Sequence, residues 1–164
     1  MKQFNSKVVT GAPKQIQFSR KLEAPISAVW AVVSNHRGMT QWIPMISHVE
    51  LVQPDAHGTW GEGCERHCQF GSDLLHEKIV HWDPPYAYAY AIADMDLVKD
   101  HVGHIQLVEK LDGTMISWTQ YYKPNSNFFK NWMAKNVLLP YVMKKALKNL
   151  NNSLLIQKHN DEIY

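Results

Sequence analysis

The sequence predicts an α+β domain, with one curved antiparallel sheet of seven strands wrapped round a long C-terminal helix and two short helices after the first strand. Three observations predict it. An apolar period of 3.6 residues runs from Asn127 to Leu155, as an amphipathic helix requires. Two-residue turn signals, Gly71-Ser72 and Asp112-Gly113, each join a pair of alternating segments. Between those hairpins, Tyr86 to Ala93 alternates large and small side chains, which gives a strand with an aromatic face and a smooth one.

Taken in order, Ile16, Phe18 and Leu22 alternate with polar residues and form the first strand. Ala24-Pro25 ends it, and Pro25 suits the first turn of a helix from Ile26 to Ser34, whose buried face is Val29, Trp30 and Val33. Gly38 breaks that helix. A second short helix, Met39 to Ile43, carries Trp42 and stops at Pro44. A strand from Ile46 to Val52 leads into a loop, Gln53 to Gly63, rich in glycine.

Cys64 to Phe70 and Asp73 to Trp82 make the first hairpin. Pairing Phe70 with Asp73 sets Cys68 opposite Leu75, His67 opposite His76, Arg66 opposite Glu77 and Glu65 opposite Lys78. One register thus yields two pairs of opposite charge, one on each face of the sheet, which supports it. After Asp83-Pro84-Pro85 and the tyrosine strand, Ala93 to Lys99 reads as a loop. His101 to Glu109 and Thr114 to Tyr122 form the second hairpin, with Leu107 expected opposite Trp118, Ile105 opposite Gln120 and Gly103 opposite Tyr122.

In the long helix, Phe128, Trp132, Leu139, Met143, Ala146, Leu150 and Leu154 fall on one face, and Lys130, Lys144, Lys145, Lys148 and Asn152 roughly opposite. Ser126 or Asn127 can cap its start, and its length is about 40 Å. Pro140 has no N–H for the carbonyl of Asn136, so a bend is expected there. Lys135 and Asn136 also interrupt the stripe. A helix so broken either covers a partly hollow core or carries a surface kink of no consequence.

Composition narrows the function. With 164 residues the chain suits one domain, its core within about residues 15–155. Seventeen basic residues against fifteen acidic ones, with no basic run, do not indicate nucleic acid. No apolar run approaches a membrane span, so no stable membrane insertion is expected. Cys64 and Cys68 lie four apart in one strand, about 13 Å along it, and cannot bond to each other. Two free thiols and a polar N-terminus suit a cytoplasmic location. Oligomeric state is open. The inward face should hold Cys68, Phe70, Leu75, Ile79, the tyrosines, Ile105, Leu107, Ile116 and Trp118, with Arg66 and Glu77 in the same phase.

Ala24-Pro25 with Val29-Trp30, Trp42-Ile43-Pro44, Gly63 with Arg66, Glu77-Lys78-Ile79, Trp82-Asp83-Pro84-Pro85, and Gly113-Thr114 with Trp118 stand in a definite order. In these the chain resembles the START-related, polyketide cyclase/dehydrase-like (SRPBCC) ligand-binding proteins of the helix-grip fold, over nearly its whole length. Birch-pollen-type allergens and plant abscisic-acid receptors are distant relatives of that family. The resemblance implies a cavity between sheet and final helix that takes an apolar small molecule. It implies Arg66 and Glu77 as inward polar positions, Tyr90 and Trp118 as wall residues, and Phe70 to Leu75 and Ala93 to His101 as loops at the mouth. The Ser-Gly-Leu-Pro gate and His-Arg-Leu latch of the hormone receptors are absent from this chain.

Candidate ligand-binding residues are therefore Arg66, Glu77, Tyr88, Tyr90, His101, Trp118, Gln120 and Trp132. Arg66 and Glu77 are either a polar anchor for a ligand or a structural ion pair. A carboxylate held by a guanidinium stays ionised and donates protons poorly. Tyr88 and Tyr90 can present hydroxyls, or pack as core aromatics. Trp132, with Met143, can floor the cavity, and His101 can sit at its mouth. His67 and His76 face each other without a third ligand, so no metal is expected, and no cofactor fingerprint stands out. The expected function is binding of a small, largely apolar molecule of polyketide, lipid or quinone type. The alternatives are a cyclase, dehydratase or isomerase using Glu77, Arg66 or a tyrosine, and a carrier with Met95, Leu97 and Val98 as an apolar rim.

Overall fold

The structure, a computed structural model, describes residues 2–93 and 95–163. A short helix α1 (Ser6–Val9) precedes β1 (Lys14–Leu22), and helices α2 (Ile26–Val33) and α3 (Met39–Trp42) follow it. Six more strands succeed one another: β2 (Ile46–Gln53), β3 (Glu65–Phe70), β4 (Asp73–Asp83), β5 (Ala87–Ile92), β6 (Val98–Lys110) and β7 (Gly113–Pro124). The C-terminal helix is built of α4 (Phe128–Met133), a π-helical turn (Ala134–Leu138) and α5 (Leu139–Ile163).

All seven strands belong to one antiparallel curved sheet in the order β1-β7-β6-β5-β4-β3-β2. The sheet curls round α5, and the core lies between them. Leu22, Val29, Val33, Trp42, Ile79, Ile105, Leu107, Ile116, Met143, Ala146 and Leu150 are buried there. Consecutive strands β1 and β2 occupy opposite edges, so α2 and α3 cross the whole width between them. Pro25 stands just before the first turn of α2, where its missing N–H costs nothing. Ser34 Oγ donates to Trp30 O at 2.6 Å and closes the other end. No helix among the described residues is long and apolar enough to cross a membrane.

The β3–β4 hairpin has the predicted register throughout, from Phe70↔Asp73 to Glu65↔Lys78. Gly71 takes the left-handed conformation, φ +57°, that the tight turn demands. A bulge between Ile79 and His81 flips the phase of β4. Trp82 therefore turns inward, with its ring 5.7 Å from Tyr88, 5.0 Å from Trp30 and 5.6 Å from His36.

The second hairpin differs from expectation by two residues. The pairs are Leu107↔Ile116, Ile105↔Trp118 and Gly103↔Gln120, and the turn is Leu111-Asp112. Gly113 already belongs to the strand. At φ +140° its α-carbon passes so close to β1 that an added Cβ would lie 2.1 Å from Leu22 O. The glycine serves the approach of two backbones and not the turn. A shift of two keeps each side chain on its predicted face and changes only its partner.

The long helix also departs from a single regular stripe. A bend is expected at Pro140, and the irregularity the structure has is a π-helical turn, Ala134–Leu138, that ends two residues before this proline, whose ring nitrogen cannot donate to the preceding turn. Asn136 Nδ2 donates to Trp132 O at 3.0 Å within that turn. The extra residue rotates α4 out of phase with α5. Leu139, Met143, Ala146, Leu150 and Leu154 are buried as expected, whereas Phe128 and Trp132 are exposed.

Candidate functional site

Strand pairing brings Arg66 of β3 directly opposite Glu77 of β4, on the face that meets the helix. Both are buried, at 0% and 4% exposure. Arg66 Nε donates to Glu77 Oε2 at 2.8 Å. Nη2 lies 2.7 Å from the same oxygen, but at an angle that leaves it without an aligned acceptor. Burial by itself would lower the pKa of Arg66, yet the charge of Glu77 raises it above its ordinary value.

The third arm of the guanidinium, Nη1, donates to His36 Nδ1 at 2.6 Å. Arginine can only donate, so Nδ1 carries a lone pair and the ring proton sits on Nε2. That proton goes to Trp60 O, 2.7 Å away. Burial, then Arg66, lowers the His36 pKa to about 4, so the ring is neutral near pH 7. The loop that offers Trp60 is organised by Asp55, whose carboxylate accepts from the backbone N–H of His57, Thr59 and Gly61. His36 was not legible in the sequence. It follows α2 in a turn, and only through-space contacts give it a role.

A second polar group lies beside the first. Tyr90 Oη accepts from Trp118 Nε1 at 3.1 Å and from Gln120 Nε2 at 3.4 Å. His101 Nε2 donates to Gln120 Oε1 at 2.6 Å, which fixes the amide orientation and leaves His101 Nδ1 as an acceptor beside Met95 Sδ at 3.3 Å. Both lone pairs of Tyr90 Oη are thus engaged, while its own proton has no acceptor among these partners. Burial, then Glu77, raises the Tyr90 pKa, so the hydroxyl stays protonated. Burial lowers the His101 pKa to about 4 against the opposing bond to Gln120, so this ring too is neutral.

Glu77, Tyr90, His101, Trp118 and Gln120 line one small, half-open pocket of about 50 Å³, together with Met39, Phe70, Leu75, Met95, Leu139 and Val142. The remaining candidates lie elsewhere. Arg66 and Tyr88 stand behind the wall. The guanidinium carbon of Arg66 is 5.5 Å from the centre of the Tyr90 ring. Burial, opposed by Arg66, pushes the Tyr88 phenol up to about 12, and its buried hydroxyl has no aligned hydrogen-bond partner. Trp132 does not floor the cavity, because the π-helical turn carries it to the outer surface, and Met143 packs in the core without reaching the cavity wall. Cys64 and Cys68 are buried thiols, raised by burial to about 11 and about 12. Among the described residues no three metal-ligating side chains come together. A larger open depression, about 840 Å³ beside the Leu111-Asp112 turn, is lined by charges of mixed sign and gathers no convergent set of groups.

The sequence profile described as polyketide cyclase / dehydrase and lipid transport matches residues 14–154. The chain belongs to this family. No curated protein sequence matched it. Among solved structures, the chain is similar to the protein XoxI from Bacillus cereus, with 19% identity, a TM-score of 0.72, and 88% of this chain and 97% of that one covered. It is similar to a START superfamily protein from Mycobacterium smegmatis, with 13% identity, a TM-score of 0.73, and coverage of 88% and 99%. It also superposes on the di-domain ARO/CYC protein StfQ of the steffimycin biosynthetic pathway, at 9% identity and a TM-score of 0.69, covering 88% of this chain and 51% of that one. At these identities the structures establish the shared fold, and the profile establishes the family.

Proposed function

We propose that this protein binds a small, largely apolar molecule carrying at least one oxygen function, in the interior between the sheet and α5. The observation that supports this reading is the lining of the pocket round Tyr90. Apolar side chains surround four buried polar ones, Glu77, Tyr90, His101 and Gln120, which converge from neighbouring strands. This is the composition of a ligand site, where apolar surface supplies affinity and a few polar groups fix orientation. Tyr90 has a proton to offer a carbonyl or hydroxyl oxygen, and His101 Nδ1 has a lone pair to receive an O–H.

About 50 Å³ accommodates one or two water molecules. A polyketide-, lipid- or quinone-sized guest therefore enters by moving the wall. Met39 and Met95, unbranched and adaptable, are the side chains that yield at least cost. The acid–base chemistry of an enzyme has less to work with here. Glu77 is engaged by Arg66, and both histidines of the site are held neutral.

Native mass spectrometry of the protein purified from its own cells, with thermal unfolding in the presence of oleate, decylubiquinone and naringenin, tests the reading. A co-purifying apolar compound, or a rise in Tm with one of the probes that Tyr90→Phe reduces, is the expected result. A bare mass with no Tm shift from any probe overturns it.

A further inference from the structure

We propose that the pocket round Tyr90 selects neutral molecules that carry a hydroxyl group and rejects carboxylates. The proposal rests on interior binding and adds to it the class of molecule bound.

Among the described residues, the lining holds one charged group, Glu77, and neither lysine nor arginine. Both contacts that Arg66 makes with this carboxylate fall on Oε2. No N–H or O–H of a described residue is bonded to Oε1, which leaves that oxygen as an acceptor for a guest. The guanidinium itself stands behind the wall. Its Nε and Nη2 turn to Glu77 and its Nη1 to His36, and its carbon lies 5.5 Å from the centre of the Tyr90 ring.

An anion therefore finds no uncommitted cation. A carboxylate leaves water for an apolar interior only at large cost unless a cation meets it. The imidazoles do not supply one. His101 in the lining and His36 behind it are neutral near pH 7, since burial lowers both to about 4. A guest carboxylate would also stand beside that of Glu77, and two like charges in one site oppose each other.

A hydroxyl fits what is open. Glu77 Oε1 and His101 Nδ1 can each accept, while Tyr90 Oη, its lone pairs taken by Trp118 and Gln120, has a proton to give. Acceptors thus outnumber donors, and the guest that satisfies them is one that donates. An alcohol or phenol gives its proton to one acceptor and takes that of Tyr90 on its oxygen, whereas a ketone or an ether can only take. Glu77 is the stronger of the two acceptors, because a hydrogen bond to an ionised group exceeds one between neutral groups. His101 Nδ1 has Met95 Sδ beside it at 3.3 Å, a weak partner on a flexible side chain that a guest can displace.

Titration calorimetry of the full chain near pH 7 with 2-naphthol, 2-methoxynaphthalene and 2-naphthoate tests this on one ring system. The expected order is naphthol tightest, the methyl ether about tenfold weaker for want of the proton, and naphthoate without measurable binding. The double variant Arg66→Met, Glu77→Leu removes Oε1 and leaves no charge buried, and it should shrink the lead of naphthol over the ether to about threefold or less. The ether or naphthoate binding as tightly as naphthol overturns the proposal, as does a variant that keeps the full lead. The comparison of the three compounds needs no variant, so it decides even where the double variant does not fold. Failure of all three compounds to bind also overturns the proposal. A co-purified compound, or a Tm shift with decylubiquinone that Tyr90→Phe reduces, would then leave interior binding standing, and the absence of both would end the two together.

Discussion

Arg66 and Glu77 face each other across β3 and β4, and both donors that the guanidinium turns toward Glu77 converge on a single carboxylate oxygen, Oε2. The pair is buried, and His36 takes the remaining arm of the guanidinium. Removing one member leaves a charge in the core with no partner. Glu77→Leu should cost about 3–5 kcal/mol of stability. The double variant Arg66→Met, Glu77→Leu should lose less than either single one, because no charge remains buried. Urea unfolding of the three proteins reads this directly, and strictly additive losses would show that the two residues do not act as a pair.

Three histidines make stability depend on pH. Burial sets His36, His101 and His104 at about 4, against the ordinary 6.5. In the unfolded chain each takes up a proton as pH falls through 6.5, while in the folded protein it does not until about 4. Stability from these groups is therefore complete above 6.5, falls between about 6.5 and about 4, and levels off below. From pH 7 to pH 5 the loss is up to about 2 kcal/mol per group. Urea unfolding at the two pH values measures it. His104→Phe should flatten the dependence, and an unchanged slope would remove His104 from the account.

Gly103 is where the backbone of β6 makes room for Tyr90. A Cβ at that position would lie 2.2 Å from Tyr90 Cζ and 2.3 Å from its hydroxyl. Gly103→Ala should cost about 1–3 kcal/mol by overpacking. It should also displace Tyr90 Oη from Trp118 Nε1, seen as a shift of the Trp118 indole N–H resonance. An unmoved resonance would mean that the ring yields elsewhere.

The sequence was informative wherever a local rule had no competitor. The β3–β4 register followed from one turn and two charge pairs that agreed, Arg66 with Glu77 and Glu65 with Lys78. The β6–β7 register slipped because Asp112-Gly113 looks like a turn, while Gly113 is needed against Leu22, a contact from the other end of the chain. Trp132 read as core because the 3.6-residue period assumes an unbroken helix, and one π-helical turn cancels that assumption. His36 and the hydrogen bonds round Tyr90 were beyond reach for a similar reason. They are relations between segments far apart in sequence, and no periodicity records them.

The pairing of β1 with β7 joins Phe18 to Trp118, a separation of one hundred residues. At the ribosome, β1 emerges first and its partner strand last among the strands. Throughout that interval Lys14–Leu22 presents backbone donors and acceptors with no strand to receive them, and the two hairpins between can form without it. The sheet therefore assembles from its middle outward, and this nascent edge is the part of the chain most exposed to pairing with a neighbour on the same messenger.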